Sequence, residues 1–254
     1  MLVDTHCHLF NEYYDDIDSV IKEANLNEIG TFISAGVDHK TNMEMIATSK
    51  RYEDVYIAIG ILPEDSDSFS QDDIAFIENN LDNPKVVALG EIGLDYHYEG
   101  YNKEKQISLF EQQLFIAEKY NLPVVVHSRD ATLDTLNSIK KYNVHGVIHS
   151  FSGSLETARE YIKLGFKLGI NGVVTFKNAH IKEVIKTLGI DNFVLETDSP
   201  YLTPEPNRGK TNSPANIKYI VNFLANYLNI SEEEIKNKTN ANVLNTFKKI
   251  KNLK

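Results

Sequence analysis

The sequence has a single cysteine, Cys7, so no internal disulfide can staple the chain, which fits a reducing compartment. It also has no run approaching the roughly 20 apolar residues that a membrane-spanning helix needs. Its first residues, Met1-Leu2-Val3-Asp4, lack the basic stretch and long apolar core of a secretory leader. From these absences we expect a cytoplasmic protein with no membrane contact and no obligate protein partner. Positive charge is short too: 26 Lys and Arg stand against 36 Asp and Glu, a formal net charge of −10. Non-specific nucleic-acid binding usually depends on basic surface that displaces counterions from phosphates, so the charge argues against a DNA-coating role. It leaves open a local phosphate contact, because divalent metals invert the charge of an acidic site. Repeats and low-complexity linkers are missing. No glycine-rich phosphate loop follows the first apolar run, which weighs against a dinucleotide-binding fold.

What the chain does have is enough apolar material for one substantial core, at 42% hydrophobic residues over 254 positions. Short, β-branched apolar runs recur at 2–3, 31–35, 55–61, 86–89, 124–126, 146–148, 166–170 and 193–195. Longer segments with helical periodicity separate them. Across 103–120, for example, Ile107, Phe110, Leu114 and Ala117 fall on one helical face. Asn121-Leu122-Pro123 should end that helix, since proline disfavours helix at its predecessor. A final helical pair is expected at 214–228 and 231–249, with Ser231-Glu232-Glu233-Glu234 as a capping box. Alternating strands and helices imply a parallel sheet with right-handed crossovers. Eight such units favour an α/β fold of one (β/α)₈ TIM-type barrel over residues 1–254, with an extra C-terminal helix.

The metal-competent side chains fall at the ends of these runs. Asp4, His6 and His8 are two apart, so in a strand they share one side and Cys7 takes the other. Glu91, His127, His149 and Asp198 each come at or just after the close of an apolar run. In a barrel those ends meet at one mouth. A lone histidine beside an apolar run is usually a hydrogen-bonded core residue, and a lone carboxylate there is usually a cap. Four imidazoles and two carboxylates on one face are different, because they stay desolvated or repel unless a cation holds them. The set His6, His8, Glu91, His127, His149 and Asp198 is nitrogen and carboxylate oxygen without thiolate. It suits zinc, manganese or iron, and magnesium less well. Six ligands exceed one tetrahedral ion and suit two divalent cations, with water activated between them for hydrolysis. His39, His97, His145 and His180 lack this placement and read as surface or packing residues.

Six ordered blocks resemble the TatD family of metal-dependent deoxyribonucleases, within the amidohydrolase-like barrels. They are Asp4-Thr5-His6-Cys7-His8, Gly90-Glu91-Ile92-Gly93-Leu94-Asp95-Tyr96, His127-Ser128-Arg129-Asp130-Ala131, His149-Ser150-Phe151-Ser152-Gly153, Glu196-Thr197-Asp198-Ser199-Pro200-Tyr201-Leu202 and Pro206-Asn207-Arg208-Gly209-Lys210. The resemblance implies that His6, His8 and Asp198 hold one ion, that His127 and His149 hold the other, and that Glu91 bridges them. It also implies that Asp198 takes a proton from the attacking water, and that the reaction is phosphodiester hydrolysis of DNA, exonucleolytic, at strand ends. Glu91 and Asp198 would then be the catalytic carboxylates. Asp4 would either ligate or support. Arg208 and Lys210 flank a glycine, so both can approach a phosphate closely, and Arg129, beside Asp130, either touches substrate or forms an internal salt bridge. Tyr96 and Tyr201 could stack on bases or simply pack.

The chain departs from the family's pattern after the third run. Gly60-Ile61-Leu62-Pro63 has leucine where a histidine is usual, and Ser213 replaces a commonly acidic residue. Leu62 cannot donate a hydrogen bond to a phosphate. Two other readings therefore stay open: an amidohydrolase-type deacylase or amide hydrolase using the same metals, and a metal-holding barrel that binds a nucleotide or partner without turnover.

Overall fold

In the computed structural model, which describes residues 1–253, eight parallel strands form one sheet in chain order. They are β1 (Leu2–Cys7), β2 (Ile29–Ala35), β3 (Val55–Ile59), β4 (Val86–Asp95), β5 (Val124–Arg129), β6 (Gly146–Ile148), β7 (Phe166–Ile170) and β8 (Phe193–Leu195). The sheet closes on itself where Cys7 bridges Ser199. Asp198 N donates to His6 O (2.9 Å), His8 N to Ser199 O (2.8 Å) and Thr5 Oγ1 to Leu195 O (2.9 Å). The connections between successive strands carry α1 (Ile17–Leu26), α2 (His39–Arg51), α3 (Gln71–Asn80), α4 (Lys103–Tyr120), α5 (Thr132–Ile139), α6 (Leu155–Lys163) and α7 (Ile181–Leu188). After β8 come α8 (Ile217–Leu228) and the extra helix α9 (Glu232–Thr246). No helix among the described residues is long and apolar enough to cross a membrane.

Alternation along the strands divides the core. Val3, Ile33, Ala58, Val87, Val125, Val147 and Val194 pack together with Val243, Phe247 and Ile250 of the C-terminal segment. The intervening strand residues, such as Phe32, Ile57, Ile59, Val86 and Leu89, join the larger cluster that includes the helices. Strand side chains pointing to opposite faces explain the division. Phe247 and Ile250 are buried, which is why α9 stops at Thr246 rather than at 249: the chain turns there to seat them. The other expected boundaries shift for local reasons. β3 ends at Ile59 because the next residues are held by side chains instead of a ladder. Asn42 bonds both backbone groups of Gly60 (3.1 and 2.7 Å), and Gln113 of α4 does the same for Ile61 (2.9 and 2.9 Å). A 3₁₀ turn, Pro214–Asn216, precedes α8. Ser231 Oγ accepts from Glu234 N (3.1 Å), but the Glu234 carboxylate pairs with Lys238 (3.2 Å), so half of the expected capping box forms. Asn121 ends α4 in the left-handed conformation, φ 49°.

β4 is the strand that matters most for the site. It was expected to stop at 89, with Glu91 just past its end, but it runs on to Asp95. Between Leu89 and Ile92 its register against β5 shifts: Leu89 faces Val124 while Ile92 faces Val126. One extra residue on β4 is a bulge, and a bulge re-aims side chains. Beyond it, Gly93 meets His127 so closely that a Cβ there would lie 1.9 Å from the His127 carbonyl. The far end of β4 is clamped by α4, where Gln106 accepts from Asp95 N (3.0 Å) and donates to Asp95 O (2.8 Å).

Candidate metal centre

The structure brings His6, His8, Glu91, His127, His149 and Asp198 together at the C-terminal ends of the strands, with Glu91 in the middle. One carboxylate oxygen, Oε1, faces His149 Nε2 at 2.8 Å and His127 Nδ1 at 3.0 Å. The other, Oε2, faces His6 Nε2 at 3.3 Å and His8 Nε2 at 3.9 Å. Asp198 Oδ1 stands 3.6 Å from each of those two nitrogens. His6, His8 and Glu91 form one group able to hold a cation, and Glu91, His127 and His149 another. His6 Nε2 and His8 Nε2 lie 3.3 Å apart, and His127 Nδ1 and His149 Nε2 3.2 Å apart. Facing nitrogens this close share a proton or repel as two lone pairs or two N–H groups, whereas a divalent cation takes electron pairs from both. The donor set thus fits nitrogen- and oxygen-loving divalent ions.

Around this centre two of the four imidazoles have their outer ring nitrogen tied down. His127 Nε2 faces Asp95 Oδ2 at 3.0 Å, on the side away from Glu91. His8 Nδ1 faces Ala35 O at 2.9 Å. Such contacts fix which nitrogen points at a cation. Burial works against charge throughout, yet the opposite charges win at most positions. Despite its burial, Glu91 is held well below the usual carboxylate range by His149, His6 and His127. Burial likewise opposes a proton on His127, but Asp95 and Glu91 push it up to about 9. His6 goes the other way, lowered by burial and by neighbouring His149.

Asp4 is fully buried and belongs to none of the groups able to hold a cation among the described residues. It accepts from the N–H (2.9 Å) and Oγ1 (2.5 Å) of Thr197, the residue before Asp198. Asp198 itself sits at φ 55°, a conformation that costs a non-glycine residue energy and needs surrounding support. Asn212 supplies part of it, donating to Thr197 O (3.0 Å) and Tyr201 O (2.6 Å).

The expected phosphate-binding residues do not touch the six. Arg208 lies over the Phe176 ring at 4.2 Å, and Lys210 reaches Asn207 Oδ1 at 3.5 Å. Neither forms an ion pair among the described residues. Arg129, at the end of β5, lies over Tyr98, while its neighbour Asp130 pairs with His97 (3.0 Å). Tyr96 stacks on Tyr101 and donates to Asp134, and Tyr201 donates to Tyr13. His39 pairs with Asp73 at 2.8 Å, outside the cluster. Leu62 begins the 3₁₀ turn Pro63–Asp67. The residue of that turn that approaches the centre is Glu64, grouped with Asp95 and His127. An exposed glutamate after a proline carries no periodicity, so nothing in the sequence marked it.

A family model described as TatD related DNase matches residues 3–248. The chain belongs to the TatD family. Among its TatD relatives, the "uncharacterized metal-dependent hydrolase YabD" of Bacillus subtilis is 40% identical, covering 98% of this chain and 99% of its own. The human protein named deoxyribonuclease TATDN3 is 32% identical over 99% of this chain and 96% of its own length. The solved TatD homologue YjjV of Escherichia coli superposes with a TM-score of 0.92 at 28% identity, covering 97% of this chain and 98% of that one. This TatD protein is a metal-dependent hydrolase built on a TIM barrel.

Proposed function

We propose that the protein is a deoxyribonuclease that removes nucleotides from DNA ends, with two divalent cations on Glu91. One cation would rest on His6, His8 and Asp198, the other on His127 and His149. The observation that carries this reading is the division of Glu91, whose two oxygens face two separate pairs of imidazoles. Divalent ions so held acidify water and polarise a phosphate oxygen. Asp198 is the more accessible of the two carboxylates, at 13% exposed against 4% for Glu91, and receives the proton of the attacking water. Its loop is fixed from below by Asp4 and Asn212, so the oxygen does not wander. Arg208 and Lys210 carry unpaired positive charge in the loop after β8 and bind the strand's phosphates, with Arg129 on the opposite rim. Only His127 among the four histidines is substantially exposed, at 20%, and so enclosed a centre suits a strand end better than the middle of a duplex.

The test is incubation of 3′- and 5′-labelled DNA with the protein, with added manganese and after chelation. Stepwise, metal-dependent loss of nucleotides from one end is expected. DNA left intact by fully metallated protein sinks the reading.

A further inference from the structure

Glu196 is a fully buried carboxylate beside the centre that the proposed chemistry leaves unused. It follows β8 directly and its side chain is completely buried. Burying a carboxylate is costly unless something answers its charge. One oxygen, Oε1, accepts the backbone N–H of Ser150 and stands 3.7 Å from His149 Nδ1. The other, Oε2, has no hydrogen-bond partner, and neither has His149 Nδ1. Two unpaired polar atoms, both buried, thus belong to side chains that face each other. Space for the carboxylate comes from Gly169 of β7, where a Cβ would lie 2.2 Å from Oε2.

We infer that Glu196 is a positioning residue for His149. It draws the ring proton to Nδ1 and leaves the Nε2 lone pair, 2.8 Å from Glu91, directed at the cation. His127 has Asp95 behind its own outer nitrogen, closer, at 3.0 Å from Nε2, so both imidazoles on the Oε1 side of Glu91 have a carboxylate behind them. Of the pair on the Oε2 side, His8 has only a backbone carbonyl, and His6 Nδ1 is unpaired. The half-site of His127 and His149 is therefore the more electron-rich of the two, and the inference rests on the two-cation reading above.

The experiment titrates metal-stripped protein with zinc and follows the two binding steps calorimetrically. Glu196→Leu is expected to weaken one step about 10- to 100-fold, the usual loss when a ligand's outer partner is removed, and to leave the other unchanged. Glu196→Gln keeps a carbonyl acceptor and falls between Leu and wild type. In a His149→Ala background Glu196→Leu has no further effect, because the imidazole it acts through is gone. Should the Leu variant not fold, the Gln variant and its own cycle with His149→Ala decide the matter. Unchanged binding, equal weakening of both steps, or additive effects in the cycle overturn the inference while leaving two-cation binding standing. A wild-type protein that takes up no second ion overturns both.

Discussion

Asp4 and Thr197 are joined twice, backbone N–H and hydroxyl both on one buried carboxylate. They lie 193 positions apart in the chain, and the join sets the residue before Asp198. Burial pushes the Asp4 carboxyl up to about 8 against these hydrogen bonds, as expected of a group kept for support. Asp4→Ala strands two polar groups of Thr197, each costing about 1–3 kcal/mol. Thermal unfolding should come several degrees lower, and hydrolysis should fall about 10- to 100-fold through misplacement of Asp198. A variant with normal kinetics would show that Asp198 needs no such support.

On the two-cation reading proposed above, Glu91 would serve both half-sites and each histidine one. Glu91→Ala should therefore reduce DNA hydrolysis more than any single histidine-to-alanine change, by about 10³-fold if several kcal/mol of stabilisation are lost. Turnover at saturating metal across the alanine series checks this, and near-normal activity in Glu91→Ala would end the two-cation assignment.

Arg208 and Lys210 have no carboxylate partner among the described residues, so replacing both with alanine should leave metal content and thermal stability nearly unchanged. DNA binding should weaken, and its dependence on salt should flatten by roughly 0.7 to 0.9 in logarithmic slope per lost phosphate contact. The same slope in wild type and double variant would make this loop a solvated turn.

Leu62 supplies no hydrogen-bond donor, and the nearby carboxylate of Glu64 cannot replace one for a phosphate. A donor placed against developing charge is worth about 10² to 10³ in rate where the surroundings are tuned for it. Here they are not, so Leu62→His should raise phosphodiester turnover by about tenfold. Rates for both proteins at several pH values, with equal metal occupancy, provide the comparison. If no pH shows a gain, position 62 does not limit the reaction.

Much of this architecture was legible because valine and isoleucine crowd the strands and proline and asparagine punctuate the helices. All eight apolar runs became strands. The extension of β4 was hidden, since Gly90, Glu91 and Gly93 read as a strand's end when apolar periodicity is the guide. That extension positions Asp95 behind His127, so the partner of a candidate ligand was missed along with the boundary. The six clustered residues stood out because they close separate runs, a placement that only a barrel brings to one point. Glu64, Glu196 and Asn212 could not stand out. Their roles come from what lies opposite them in space, and polar residues in turns have no spacing to betray that.

The seam between β1 and β8 has a consequence for how the protein is made. Contacts there, such as Thr5 with Leu195, span 190 positions, and contacts so distant form late in folding. His127 and His149, on adjacent strands with Glu91 beside them, can meet while the remainder is still being synthesised. His6 and His8 emerge first yet must wait for Asp198, the last of the proposed set to appear. The emerging chain therefore holds no full set of ligands, and whatever hydrolytic power the finished barrel has is withheld until its first and last strands meet.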